Sequence, residues 1–191
     1  MDKEKFLKGV HEYLRLIHLY LNKKEDPEYE VTDGKLSFFT RLSKAHSLSA
    51  LFYQTLKNTK AKIDIDKLNS LEVSYAANIK KGIGFKKERE ELYQYLKDNE
   101  INYLPLKGIV LNELYPDPYI REYADNDIMF DDNKTDIVKE FFTKRDYQVE
   151  LFKTYNHDTY TKEPFYNFEM HRALFYDTKQ NKKYLSYFAG I

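Results

Sequence analysis

The chain has 191 residues, 42% of them hydrophobic, and its 31 basic residues balance 31 acidic ones. This hydrophobic content is sufficient for the core of one domain or of two small ones. No apolar run approaches the roughly 20 residues that span a bilayer. The lack of cysteine excludes a disulfide framework, thiol catalysis and cysteine-bound zinc. The start has no secretory signal pattern, so we expect a cytoplasmic protein without a membrane partner.

The N-terminal half has the apolar spacing of helices. Apolar residues recur every three or four positions over residues 3–22, which predicts a first helix, and residues 36–58 predict a second stretch with a break near His46 and Ser47. A third helix is predicted from Asp66 to about Asp98. Two glycines in it, at 82 and 84, favour a kink or a break there.

After residue 98 the pattern changes to short apolar runs between turns. Strands are predicted over residues 103–106, 126–130, 147–152 and 166–175, with helices over 109–115 and 134–145. We therefore expect an α+β protein with a helical region at 1–98 and a mixed sheet region at 99–191.

Asp125 and Asp127 stand at the start of the apolar run "NDIMF". On a strand, residues two apart point to the same side, so the two carboxylates would project together. Hard oxygen donors placed in this way can hold a pair of divalent ions, Mg²⁺ or Mn²⁺, about 3.5 to 4 Å apart. An Asp-x-Asp alone is more often a solvated strand end, so the neighbouring residues decide.

Other candidate residues surround this pair in the sequence. A third acid, Glu169, shares a strand face with His171, and an adjacent strand would bring it to the metal pair. The turn at Lys107 and Gly108 runs from a strand into a helix, where backbone N–H groups favour phosphate. Arg121 adds a second cation for a triphosphate. Taken singly, His171 is more typical of a structural histidine.

These residues together resemble a known family, the nucleotidyltransferase fold, and within it the bacterial uncharacterised nucleotidyltransferases. The resemblance lies in "LPLKGIVLNELYPDPYIREYADNDIMF", then "YNHDTY", then "FEMHRALF", in that order over residues 104–175. The helical segment "AHSLSALFYQTL" is also similar to the family. The resemblance implies a helical N-terminal region packed on a minimal, polymerase beta-like mixed sheet.

The resemblance also implies roles for individual residues. Asp125, Asp127 and Glu169 would bind two Mg²⁺ or Mn²⁺ ions, with Glu169 as ligand or as base for the attacking hydroxyl. Lys107 and Gly108 would hold phosphates, and Arg121 would face them. The reaction would move a nucleoside monophosphate from an NTP to an acceptor hydroxyl and release pyrophosphate. The acceptor, whether RNA, protein or small molecule, is left open.

Two departures from the family pattern stand beside the acids, Ala124 in place of a common serine and Asn126 in place of an apolar residue. Relatives tend to continue into further helices after the third acid, so the chain is either a shortened or a compact member.

Two other functions remain open: a non-catalytic nucleotide-binding or regulatory module, and a metal-dependent phosphohydrolase. His157 and His171 would favour the phosphohydrolase, although His157 is equally consistent with a loop.

Overall fold

The computed structural model of the chain describes residues 2–64 and 68–188. Its helices are α1 (Lys3–Leu21), α2 (Asp33–Ala45), α3 (Ser49–Asn58), α4 (Asn69–Asp98), α5 (Gly108–Leu111), α6 (Thr135–Thr143) and α7 (Lys182–Phe188). Its strands are β1 (Tyr103–Pro105), β2 (Asn126–Phe130), β3 (Gln148–Leu151), β4 (His157–Lys162) and β5 (Tyr166–His171). The α+β class is thereby confirmed.

The chain forms two compact units. A helical unit comprises Met1–Gly82 and Asn112–Tyr123, and a sheet unit comprises Ile83–Leu111 and Ala124–Ile191. The boundary expected near residues 98–101 lies inside the sheet unit, because the second half of α4 contributes buried leucines to the core of the sheet. The sheet unit therefore begins within a helix.

The helical unit has a core of large aromatic and aliphatic side chains. On α1 the buried face contains Tyr13, Leu16 and Ile17, whereas Leu14, part of the apolar spacing in the sequence, is 54% exposed. The hydroxyl of Tyr13 lies 3.0 Å from that of Ser43, so this buried phenol has a polar partner. The spacing predicted the helix correctly but not its inner face.

The break between the second and third helices is confirmed. α2 ends at Ala45, Ser47 has a φ of 53°, and α3 begins at Ser49. The first backbone N–H of α3 has a hydrogen-bond acceptor far away in the sequence rather than a serine side chain. The Ser49 amide donates to a carboxylate oxygen of Glu122 at 2.6 Å.

Helix α4 is continuous through its two glycines, so the predicted break is absent. A Cβ at Gly82 would lie 2.7 Å from the ring of Tyr123, and one at Gly84 would lie 2.8 Å from the hydroxyl of Tyr166. The glycines thus allow aromatic side chains to approach the helix backbone. The predicted start of this helix at Asp66 lies outside the described residues.

The sheet unit contains a five-stranded mixed sheet in the order β1-β2-β5-β4-β3. β2 and β5 are parallel, and the other neighbouring strands are antiparallel. One face of the sheet packs into a core with α4 and α6, in which Phe142 stacks on Tyr160 with ring centroids 4.2 Å apart. Alternation along β2 and β5 then directs Asp127 and Glu169 to the opposite face.

The loop interpretation of His157 is wrong, because His157 is the first residue of β4. Its Cα partner on β5 is His171. Burial alternates along β4, where Asp158 and Tyr160 are completely buried, but "HDTYTK" has no matching alternation of polar and apolar residues that would predict a strand. In the described part of the chain, no helix has the length and hydropathy needed to cross a membrane.

Candidate metal and nucleotide site

The candidate site is built on the two parallel strands of the sheet. The register pairs Asp127 on β2 with Glu169 on β5, and His171 follows on the same face two residues later. Donor atoms of these three side chains all lie within 4.8 Å of one another, close enough to bind one metal ion. The sequence-based expectation that an adjacent strand brings Glu169 to Asp127 agrees with this pairing.

Asp127 is the centre of the hydrogen bonding at this site. Its Oδ1 atom accepts a hydrogen bond from Nζ of Lys107 at 2.7 Å and lies 2.9 Å from Nε2 of His171. Asp127 is only 3% exposed, whereas the side chain of Lys107 is 61% exposed. A buried carboxylate is therefore neutralised by an amino group that reaches it from the surface.

The pKa values reflect this pairing. Burial acts to raise the pKa of Asp127, but the hydrogen bonds from His171 and Lys107 outweigh it and lower the pKa to about 2. The hydrogen bond to Asp127 raises the pKa of Lys107, and the negative charges of Glu169 and Asp125 raise it further. Asp127 is thus ionised and Lys107 protonated across the physiological range.

The local chain geometry places Lys107 above the strand end. Lys107 follows β1, which pairs with β2, and the amide of Leu106 donates to the carbonyl of Asp127 at 2.9 Å. Lys107 has a φ of 45°, and Gly108 begins the single turn of α5. The tight turn therefore brings the lysine side chain back over β2.

Asp125 lies beside this group rather than within it. It precedes the first residue of β2 and is half-buried. Among the described residues, the cluster that could hold an ion consists of Asp127, Glu169 and His171. Asp125 is near enough for its charge to raise the pKa of Lys107.

Asn126 has a partner that the sequence did not predict. It is completely buried on the core side of β2, where its Oδ1 atom accepts a hydrogen bond from Nη1 of Arg89 on α4 at 2.7 Å. The amide of Asn126 can be buried on the core side because this guanidinium satisfies it. A buried asparagine between two acids of the site indicates that it has a polar partner. The spacing of residues in the sequence does not show that this partner lies on α4.

Arg121 and His157 are the remaining residues that the sequence predicted for the site. Arg121 belongs to the helical unit, where its carbonyl accepts a hydrogen bond from Nδ2 of Asn78 at 2.9 Å. The ring of His157 lies 5.1 Å from that of His171, and its Nδ1 atom is 3.2 Å from Oδ1 of Asn156. His157 is therefore a neighbour of the cluster and not a member of it.

The donor set fits a divalent ion. Two carboxylates and an imidazole are common ligands, and the ammonium of Lys107 already provides a positive charge at Asp127. A divalent ion bound at Oδ1 of Asp127 would take the position of the Lys107 hydrogen bond, so the lysine would have to move.

Comparison with known proteins gives the family. The family model described as uncharacterised nucleotidyltransferase matches residues 33–190, more than four fifths of the chain. No curated protein and no solved structure matches the chain significantly. The match includes both the helical segment from the start of α2 and the strands that carry Asp127 and Glu169. The chain belongs to the uncharacterised nucleotidyltransferase family.

Proposed function

We propose that the protein is a metal-dependent enzyme that transfers a nucleoside monophosphate from an NTP to an acceptor hydroxyl and releases pyrophosphate. The observation that carries the proposal is the pairing of Asp127 with Glu169 on neighbouring parallel strands, with Lys107 at 2.7 Å from Asp127. Two acids thus lie side by side on one face of the sheet, with the ammonium group of one lysine beside them.

Each acidic residue of the site would have a role that follows from its chemistry. Asp127 and Glu169 would hold Mg²⁺ or Mn²⁺, and Asp125 would extend the ligand set to a second ion. Bound metal supplies Lewis-acid stabilisation of charge on the phosphates. Glu169 can also accept the proton of the attacking hydroxyl, since its side chain is 25% exposed.

Lys107 and Gly108 would bind the triphosphate. Lys107 is suited to this role because its exposed side chain can turn from Asp127 to a phosphate without losing an anionic partner. The role of Arg121 toward the phosphates stays a prediction from the sequence.

Two alternatives have specific observations in their favour. Asp127 already has Lys107 and His171 as partners, so its burial does not by itself require a metal, and a non-catalytic nucleotide-binding module is compatible with this pairing. The imidazole of His171 beside two acids is also typical of metal-dependent phosphohydrolases.

An assay with NTPs labelled at the α-phosphate separates the three functions. The protein is incubated with divalent metal and with pools of RNA, protein and small-molecule acceptors. Transfer moves the label to an acceptor and releases pyrophosphate. A phosphohydrolase releases labelled free nucleotide or orthophosphate, and a binding module leaves the NTP intact.

The variant Asp127→Asn tests whether the site is responsible. It should abolish transfer, whereas Glu100→Gln, a substitution of an exposed acid in the same unit, should retain it. Equal transfer by Asp127→Asn and wild type would contradict the proposed function.

A further inference from the structure

The imidazole of His171 lies close to both acids, Asp127 and Glu169, whereas a structural histidine requires only one hydrogen-bond partner. Its ring is buried, with only 6% of the residue exposed, and Nε2 lies 2.9 Å from Asp127 and 3.6 Å from Glu169. Among the described residues, the other ring nitrogen, Nδ1, has no hydrogen-bond partner. The polar contacts of the ring are thus directed to the two acids.

The strands fix this arrangement. His171 lies two residues after Glu169 on β5, and β5 is flanked by β2 and β4. Its Cα partner on β2 is Met129, two residues after Asp127. Because alternate residues share a face, the backbone itself holds the imidazole beside the carboxylates. This arrangement does not depend on a flexible loop.

We propose that Nε2 of His171 is a metal ligand, together with Asp127 and Glu169, and that it makes the site prefer Mn²⁺ to Mg²⁺. Mg²⁺ favours oxygen ligands and retains its waters, whereas first-row transition ions accept imidazole nitrogen. The inference rests on the proposed function only in placing a divalent ion at these acids. It adds a nitrogen ligand to the two carboxylates, and this ligand makes the site prefer Mn²⁺ to Mg²⁺.

Metal binding would require two rearrangements of this chain. Lys107 would leave Oδ1 of Asp127. The neutral imidazole would carry its proton on Nδ1 instead of Nε2, so that the lone pair of Nε2 faces the ion. Neither change moves the backbone, because Lys107 has an exposed side chain and His171 exchanges only a tautomer.

The rival role is that of a positioning residue, in which His171 donates to Asp127 and never touches the ion. The two roles differ in a direct spectroscopic property. A nitrogen ligand couples magnetically to bound Mn²⁺, whereas a histidine that only orients a carboxylate does not show the coupling of a directly bound nitrogen.

The experiment is pulsed electron paramagnetic resonance of Mn²⁺ bound to the whole chain, alone and with inorganic tripolyphosphate, which contains no nitrogen. Wild type, His171→Gln and His157→Gln are compared, with a second wild-type sample carrying ¹⁵N-labelled histidine. His157→Gln is the matched control, because its ring lies 5.1 Å from that of His171.

We expect a histidine nitrogen coupling in wild type and His157→Gln that is lost in His171→Gln. We also expect His171→Gln to weaken Mn²⁺ binding by about tenfold or more, in the range typical of altered metal sites, with a smaller effect on Mg²⁺. Thermal unfolding of each metal-free variant shows whether its fold is retained.

Three results would overturn the inference. Bound Mn²⁺ without nitrogen coupling, or coupling lost only in His157→Gln, would remove His171 as a ligand while leaving the proposed function in place. A wild-type protein that binds no Mn²⁺ under either condition would contradict both the inference and the proposed function.

Discussion

Nζ of Lys107 lies 2.7 Å from Oδ1 of Asp127, so a lysine on the surface neutralises a carboxylate that is buried at the start of a central strand. A divalent ion that uses the same oxygen has to displace this amino group. In the proposed function, lysine and metal would therefore compete for Asp127 in the absence of nucleotide. The phosphates of a bound nucleotide would then become the partner of Lys107.

Lys107→Met should consequently strengthen metal binding in the absence of nucleotide and weaken NTP binding. Loss of the competing charge-assisted hydrogen bond should raise Mn²⁺ affinity several-fold, up to about tenfold. Calorimetric titration of Mn²⁺ into the nucleotide-free protein measures this. Lys87→Met, which removes an exposed lysine of α4 in the same unit, is the control, and equal or weaker Mn²⁺ binding by Lys107→Met would refute the competition.

Asp127→Asn should destabilise the metal-free protein at neutral pH. The folded protein lowers the pKa of Asp127 from 3.8 to about 2. The ionised carboxylate therefore stabilises the fold above its unfolded pKa, and this contribution disappears as the pH falls toward 2. Its full size is up to about 2 kcal/mol.

Urea unfolding in the presence of a chelator, between pH 3 and pH 7, measures this difference. The gap in unfolding free energy between wild type and Asp127→Asn should be largest near pH 7 and should narrow below about pH 4. Asp125→Asn, outside the cluster, should change stability by less than about 0.5 kcal/mol. A gap that is independent of pH would show that the ionised Asp127, paired with His171 and Lys107, does not stabilise the fold.

Asn126→Leu should destabilise the sheet unit even though it restores an apolar residue. The substitution removes the acceptor of Arg89 from a buried position, at a cost of about 1–3 kcal/mol. The double variant Arg89→Met with Asn126→Leu should recover part of this loss, since an apolar pair can replace a polar one. Denaturant unfolding of the two single variants and the double variant gives the coupling, and simple additivity would contradict it.

The pairing of Asp127 with Glu169 could be anticipated from the sequence. Both acids lie in short strand-like runs, and alternation places each on the polar face of its strand. The family pattern in residues 104–175 then indicated that the two strands are neighbours. Local periodicity and a family resemblance together were sufficient for the class of fold and for the central pair of acids.

The partners of these acids could not be anticipated in the same way. The contact of Lys107 with Asp127 depends on the antiparallel pairing of β1 with β2 and on the positive φ of Lys107. The contact of Arg89 with Asn126 joins residues 37 positions apart. Side-chain contacts of this kind follow from tertiary packing, which a periodic pattern does not encode.

Arg121 lies four residues before Asp125 and belongs to the helical unit, and its role toward the phosphates stays a prediction. Nδ2 of Asn78 on α4 donates to the carbonyls of both Tyr119 and Arg121. A single buried amide thus assigns this segment to the helices rather than to the sheet.

We propose that NTP binding at this site depends on a divalent ion held by Asp127. The most direct measurement is calorimetric titration of each of the four NTPs into wild type and Asp127→Asn, with Mg²⁺, with Mn²⁺ and with a chelator. We predict binding by wild type that requires the metal and is lost in Asp127→Asn. Binding of equal strength in both proteins, or binding unaffected by the chelator, would contradict the claim.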